Sequence, residues 1–335
     1  MQILIHEFLT AGHHAATVPP SMVREGECML LALCQDLIEV PGHSISLIRN
    51  RQLPPLPGSL EIHWISDEDD PEAQFRSLLR QVDAVWPIAP ETNRILETLC
   101  REIEDHGKML LSSPSKAVAI TASKGQTHDI LAAAGLPVVR TLPIEHTLDA
   151  FSPSLPLVFK ADDGAGCENT IVAESKEEVI AFLESSKTGN WVVQPLMEGD
   201  PLSLTGLFNR GSARLLSVNR QKIMRQGQGF HLSGLSINIS IDRIQFAELE
   251  SLLQQIARAI PELWGLAGVD FLWNARGAMI LEVNPRLTSA QGGLRKSLGL
   301  NPARLVLEMA QTGHLPDLPE GPFGSTLDLC LDTLQ

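Results

Sequence analysis

The chain has no Lys/Arg run, no C-x-x-C pair, no H-E-x-x-H motif and no apolar stretch near the roughly 18 residues that a membrane-spanning helix needs. Each absence closes a class of function. With 26 basic side chains against 40 acidic ones, the formal net charge is −14. Such a surface, lacking a basic patch, repels a phosphate backbone, so no nucleic-acid partner is expected, and no membrane partner either. The opening Met1-Gln2-Ile3-Leu4-Ile5-His6-Glu7 has no basic region and reaches charge too early for a secretory leader, so a cytoplasmic location is expected. Cys28, Cys34, Cys100, Cys167 and Cys330 are odd in number and without paired spacing, which reads as reduced thiols. His13 and His14 are adjacent, a spacing that suits loop or surface histidines better than a zinc site. No internal repeat or low-complexity tract interrupts the chain.

What is present is ordinary in bulk. The 335 residues are 44% hydrophobic and 20% charged, enough for two or three domains with cores of their own. The first third alternates apolar runs with helical patterns: Ile3 to Phe8, Glu25 to Ile38, Ile45 to Ile48, Glu61 to Ile65, Glu72 to Val82 and Asp83 to Ile88. This βαβ alternation predicts an open parallel sheet, whose ligands gather beyond the strand C-termini. Glu91, in the turn Pro87 to Glu91, becomes a candidate substrate contact. A helix is predicted from Ser123, with Gln126 at capping-box spacing, to Gly135. Lys124 in its first turn opposes the helix dipole; it is either a solvated surface lysine or a group placed for an anion. After Pro143 the pattern changes to antiparallel pieces with helices between them, an α+β arrangement.

Three stretches carry chemistry. Gly268 to Trp273 and Met279 to Arg286 read as two apolar strands, with Glu282 and Asn284 on one face, Val283 on the other, and Asp270 joining from the neighbouring strand. Two carboxylates and an amide suit Mg²⁺, though a hairpin with acidic ends would look the same. Lys160 ends the strand Leu155 to Lys160 and runs into the loop Ala161 to Thr170, where Asp162, Gly164 and Gly166 allow backbone N–H groups to cover phosphates or simply form a hairpin turn. Trp191 to Asp200 is an apolar strand entering a polar turn, beside which an adenine edge could be hydrogen-bonded.

In this order, Lys124, Lys160 with its glycine-rich loop, Gln194 to Gly199, then Asp270, Glu282 and Asn284 resemble the ATP-grasp superfamily, over roughly residues 110 to 312. The resemblance implies an ATP-grasp fold, α/β and α+β. Residues 1–112 would form an N-terminal open parallel sheet domain, and 113–198 and 199–335 two α+β subdomains clasping ATP. It implies that Lys124 and Lys160 hold the phosphates, that the Asp162 to Thr170 loop closes over them, and that Gln194, Pro195, Leu196 and Met197 bind adenine. Asp270, Glu282 and Asn284 would carry one or two Mg²⁺ ions, with Mn²⁺ as an alternative. Arg286, with Arg220 or Lys222, would stabilise the transferring phosphoryl group. Pro201 stands where the superfamily often has a ribose-binding glutamate, so the ribose contact falls to Glu198 or Asp200.

A narrower similarity, through Glu7 to Gly12, Ile88 to Glu91, Gly199 to Ser203 and Asn284 to Ser289, is to the tyramine–glutamate ligase branch of methanofuran-type cofactor synthesis. It implies an ATP-dependent carboxylate–amine ligase that releases ADP and phosphate through an acyl phosphate. Small-molecule carboxylate and amine partners follow, with Glu91, Thr288, Ser289 and Arg295 as substrate contacts. A non-amine acceptor, or a nucleotide-binding regulator without turnover, are the alternatives. The superfamily is often dimeric, and a homodimer is the assembly it implies.

Overall fold

The computed structural model describes residues 1–13, 18–146, 155–166, 170–186 and 189–332. His14, and Cys167 to Asn169 in the glycine-rich loop, lie outside them. Among the described residues no helix is long and apolar enough to cross a membrane.

The first sheet is parallel: β1 (Gln2–Glu7), β2 (Ser44–Asn50), β3 (Glu61–Ile65), β4 (Ala84–Ile88) and β5 (Met109–Leu110), in the order β3-β2-β1-β4-β5. Alternate residues of β1 enter different cores. Ile3 and Ile5 pack with Leu30, Leu33 and Leu37 of the helix Pro20–Ile38, while Leu4 packs with Phe75 and Leu79 of Pro71–Leu79 and Ile103 of Ile95–Asp105. Both faces are covered, which is why these strands read as continuous apolar runs. The first helix begins at Pro20, five residues before the periodic pattern shows it, because a proline in the first turn has no N–H to leave unpaired. Strand order reverses between β1 and β4. There Glu7 pairs with Ile88, and the Phe8 amide donates to the Ile88 carbonyl at 2.8 Å, which opens a crevice at the strand ends.

The second sheet is antiparallel, with β6 (Leu142–Pro143), β7 (Leu157–Ala161), β8 (Thr170–Ala173) and β9 (Trp191–Pro195) in the order β6-β9-β7-β8. The helix Lys176–Ser185, capped by the Ser175 hydroxyl accepting the Glu178 amide at 3.2 Å, covers one face by stacking Phe182 on Phe159. The third sheet is also antiparallel: β10 (Asp200–Asn209), β11 (Ser212–Gln226), β12 (Gly229–Ile237), β13 (Trp264–Asn274), β14 (Gly277–Asn284) and β15 (Leu327–Cys330), ordered β14-β13-β10-β11-β12-β15. The helix Arg243–Ala259 starts with a capping box between Asp242 and Gln245 and buries Leu249, Leu253 and Ile256 against this sheet.

Two pairs of helices cross the expected segment boundaries. Ser115–Ala122 and Lys124–Ala133 place Ala117 and Leu131 in the third sheet's core with Val283. Gln291–Leu298 and Pro302–Thr312 return to the N-terminal sheet's covering helix, where Leu294 and Val306 share a core with Leu30 and Leu33. The first and last parts of the chain therefore fold against each other, around one cleft.

Candidate active site

A bulge in β14 sets the acidic cluster. Asp270 lies opposite Glu282 and Gly268 opposite Asn284, but the next pair is Phe271 with Ile280, so Leu281 is an extra residue. Strict alternation would send Glu282 to the same side as Ile280, into the core. The bulge reverses the parity: Ile280 and Val283 are both buried in the core, three positions apart, while Glu282 and Asn284 line the cleft with Asp270. Gly268 has no side chain because a Cβ there would fall 2.7 Å from Thr288 Cγ2.

Asn284 Nδ2 donates to Asp270 Oδ2 at 3.3 Å. Burial, reinforced by repulsion from Glu282, raises the Asp270 pKa well above the usual carboxylate range. Glu282 suffers the same burial, but attraction from Lys124 and Lys160 outweighs it and holds Glu282 below its ordinary value. Among the described residues no group of three His, Cys, Asp or Glu could hold a metal. Two carboxylates and an amide fit a hard cation that completes its shell with oxygens from outside the chain, as Mg²⁺ does on a nucleotide phosphate.

The two lysines converge on Glu282 from different elements. Lys124, buried at the start of its helix, donates to the Gly164 carbonyl at 2.5 Å and lies 3.4 Å from Glu282 Oε2. Lys160, at the end of β7, lines the cleft beside Glu282. The root of the glycine-rich loop is tied down on two further sides. Asp162 Oδ1 accepts the Gly125 amide at 2.8 Å, and Asp163 Oδ2 accepts the Asn93 amide at 2.8 Å. Asp162 is thus engaged by a helix start, while Gly166, at φ +64°, borders the cleft.

Beyond Lys160 the cleft forms a cavity of about 320 Å³ lined by Gln194, Pro195, Leu196 and Met197 at one end and by Asp270, Glu282, Asn284, Arg286, Thr288 and Ser289 at the other. This is the size range of ligand pockets. Gln194 is buried and donates to the Thr141 hydroxyl at 2.8 Å, which fixes its side chain in the wall. Glu198 and Asp200 are exposed and absent from the lining. The Glu198 carbonyl accepts from Asn274, and Asp200 faces Arg220 at 3.7 Å.

Arg286 and Glu91 meet each other. Arg286 Nη2 donates to Glu91 Oε2 at 3.0 Å and Nε lies 3.0 Å from Oε1, with both side chains nearly buried. Glu91 keeps the raised Arg286 pKa high despite the burial that would lower it. Ser289 donates to Glu25 Oε2 at 2.9 Å.

Besides Glu198 and Asp200, three expected residues are not brought to the cleft. On β11, Gln221 and Ile223 line it, so Arg220 and Lys222 point elsewhere: Arg220 to Asp200, and Lys222 to Asp328 at 2.7 Å. Arg295 borders a separate surface cavity, where Glu39 and Asp36 hold it and the Gln35 carbonyl accepts from it. Conversely Glu25, Gln221 and Thr141 were passed over. Gln221, which hydrogen-bonds Asp270, sat between two cations, and the period of two along the strand was the signal that could have found it.

The chain matches the pre-ATP-grasp domain model over residues 43–118 and the ATP-grasp domain model over residues 121–290. It is similar to the tyramine–L-glutamate ligase of Methanocaldococcus jannaschii, 28% identical over 259 residues that make up 77% of this chain and 73% of the relative. An ATP-grasp superfamily protein from Archaeoglobus fulgidus superposes with a TM-score of 0.72 at 20% identity, covering 98% of this chain and 99% of that one. The biotin carboxylase domain of Hydrogenobacter thermophilus 2-oxoglutarate carboxylase, solved with MgADP and bicarbonate, superposes with a TM-score of 0.74 at 15% identity, covering 98% and 74%. With half of its length matched by the second model, and its two subdomains closing on one cavity, the chain belongs to the ATP-grasp family.

Proposed function

We propose that the chain is an ATP-dependent carboxylate–amine ligase that forms an amide and releases ADP and phosphate. The observation that carries this reading is the convergence of Lys124 and Lys160 on Glu282, beside Asp270 and Asn284, at one end of a cavity whose other end is the Gln194 to Met197 strand exit. Adenine would seat against Pro195, Leu196 and Met197, and the triphosphate would run toward the lysines.

A carboxylate and a triphosphate repel until charge between them is neutralised. Lys124 and Lys160 do part of this by presenting two ammonium groups from a helix start and a strand end. Asp270, Glu282 and Asn284 would hold Mg²⁺, or Mn²⁺ in its place, which when bound supplies the remaining neutralisation of the phosphate oxygens. Arg286, oriented by Glu91, adds a guanidinium to the lining of the same cleft. A carboxylate oxygen then attacks the γ-phosphorus and ADP leaves. The nitrogen of the neutral amine attacks the resulting acyl phosphate, the carbonyl C–O bond to phosphate breaks, and the proton lost from nitrogen leaves with the phosphate. The described root of the glycine-rich loop is anchored through Asp162 and Gly164, and closure of the loop over the phosphates would limit hydrolysis of the acyl phosphate.

The relative's name gives glutamate and tyramine as the first pair to test. ADP and phosphate release would be followed with Mg-ATP across a matrix of amino acids and amines, with product mass. Release that needs both an acid and an amine, with a product heavier by their condensation, is expected; release with the acid alone would point to another acceptor.

A further inference from the structure

Beside the nucleotide cleft lies a second, smaller cavity of about 170 Å³, and the two share Glu25, Gly166, Phe230, Leu232 and Arg286 as a partition. It sits where the parallel sheet reverses order, between the ends of β1 and β4. Crevices at that point are where open sheets of this type hold small ligands. Its walls mix apolar side chains, Leu9, Met22, Met29 and Ile88 among them, with the titratable groups Glu7, Glu25, His231 and Arg286.

The acids differ in availability. Glu7 is buried, with its two oxygens accepting the Leu9 and Thr10 amides at 3.3 and 2.5 Å, and Gly26 is tolerated there because a Cβ would fall 2.6 Å from Glu7 Oε1. It charges the wall without facing a ligand freely. Glu25 lies on the partition, one oxygen held by Ser289 from the segment that follows the cation ligands. Of the cations that act on Glu25, Arg286 is paired with Glu91 and His231 lies 2.8 Å from Asp332, while the buried Nε of Arg24 has no hydrogen-bond partner. Burial raises the pKa of both Glu25 and Glu7, for Glu25 against the hydrogen bond from Ser289 and the attraction of Arg286, His231 and Arg24.

We propose that this cavity seats the amine substrate, taking a primary amine with an apolar body of about one ring, and that Glu25 receives its ammonium group at the partition facing the acyl phosphate. The inference deepens the ligase reading and rests on it. A void of roughly 150 Å³ accepts a benzene ring, so the volume suits such a body and is too small for a nucleotide. Glu25 at the partition favours an ammonium group over a carboxylate, which assigns the amine to this cavity and leaves the acid to the cleft.

The test is calorimetric titration of the full chain held with Mg²⁺ and a non-hydrolysable ATP analogue, using tyramine as the probe and 3-(4-hydroxyphenyl)propionate as its carboxylate counterpart. Wild type should bind tyramine saturably and not the propionate. Glu25→Gln, and independently Met22→Trp, which fills the cavity from its half-buried rim, should each weaken tyramine at least tenfold while the analogue binds within twofold of wild type. Wild type that takes up the analogue but not tyramine would overturn the assignment, as would tyramine binding indifferent to both substitutions. Failure of the ligase reading would appear separately, as tyramine binding without condensation in the turnover assay.

Discussion

The Arg286 guanidinium lies against the Glu91 carboxylate, Nη2 to Oε2 at 3.0 Å, and so joins the strand end carrying the cation ligands to the turn beyond β4. Neither residue can be removed alone without leaving its partner charged in a nearly dry setting. Glu91→Ala is expected to lower unfolding stability by roughly 3–5 kcal/mol, read from urea midpoints. Glu91→Leu combined with Arg286→Met should recover most of that stability but not the activity, because the guanidinium is lost from the cleft.

In the proposed site Lys124 holds phosphate. Lys124→Met should lower kcat/KM for ATP by about 10²–10³-fold, as when one preorganised donor is lost from a developing charge. Relieved of Lys124, Glu282 should titrate higher than in wild type. Steady-state kinetics read the first effect, and carboxyl NMR shifts of Glu282 the second.

The alternation along β11 separates three neighbouring residues. Arg220→Ala and Lys222→Ala should leave kcat/KM within about threefold of wild type, since each pairs with an exposed surface acid and such pairs contribute at most about 1 kcal/mol. Gln221→Leu should weaken Mg²⁺-dependent activation, because it removes a hydrogen bond from Asp270. Titrating activity with Mg²⁺ distinguishes the three.

Stability should fall as pH rises toward neutrality. Burial raises Glu7 from 4.5 to about 7, and raises Asp36 from 3.8 to about 7 although Arg295 partly offsets it. Between the unfolded and folded pKa values the folded chain holds protons that the unfolded chain has released, so unfolding free energy declines across that window and levels off above it. The cost is on the order of 1.4 kcal/mol per pKa unit of separation for each group. Thermal midpoints at pH 5 should exceed those at pH 8, and Asp36→Asn, which can still hydrogen-bond Gln291, should flatten the slope.

Much of the fold was legible because its signals are local. The βαβ run of the first third, the Ser123 cap and the apolar strands around Asp270 follow from periodicity and capping chemistry alone. The grouping of Lys124, Lys160, Asp270, Glu282 and Asn284 was legible through family resemblance, since the residues come from separate elements. What the sequence hid is tertiary. No pattern announces that Leu281 is a bulge, that Glu91 and Arg286 satisfy each other from 195 positions apart, or that Arg295 is held by Asp36 and Glu39 on the first helix and its end. Glu25 read as a helix start, and only the return of the C-terminal segment brings Ser289 onto it.

The central claim is that the carboxylate is activated by phosphoryl transfer before the amine attacks. The most direct measurement uses a substrate acid labelled with ¹⁸O in its reacting carboxyl group, with Mg-ATP and the amine, followed by mass analysis of the phosphate released. One labelled oxygen is expected in each phosphate formed with amide product, because the acyl C–O bond breaks. Amide formation with unlabelled phosphate would contradict it.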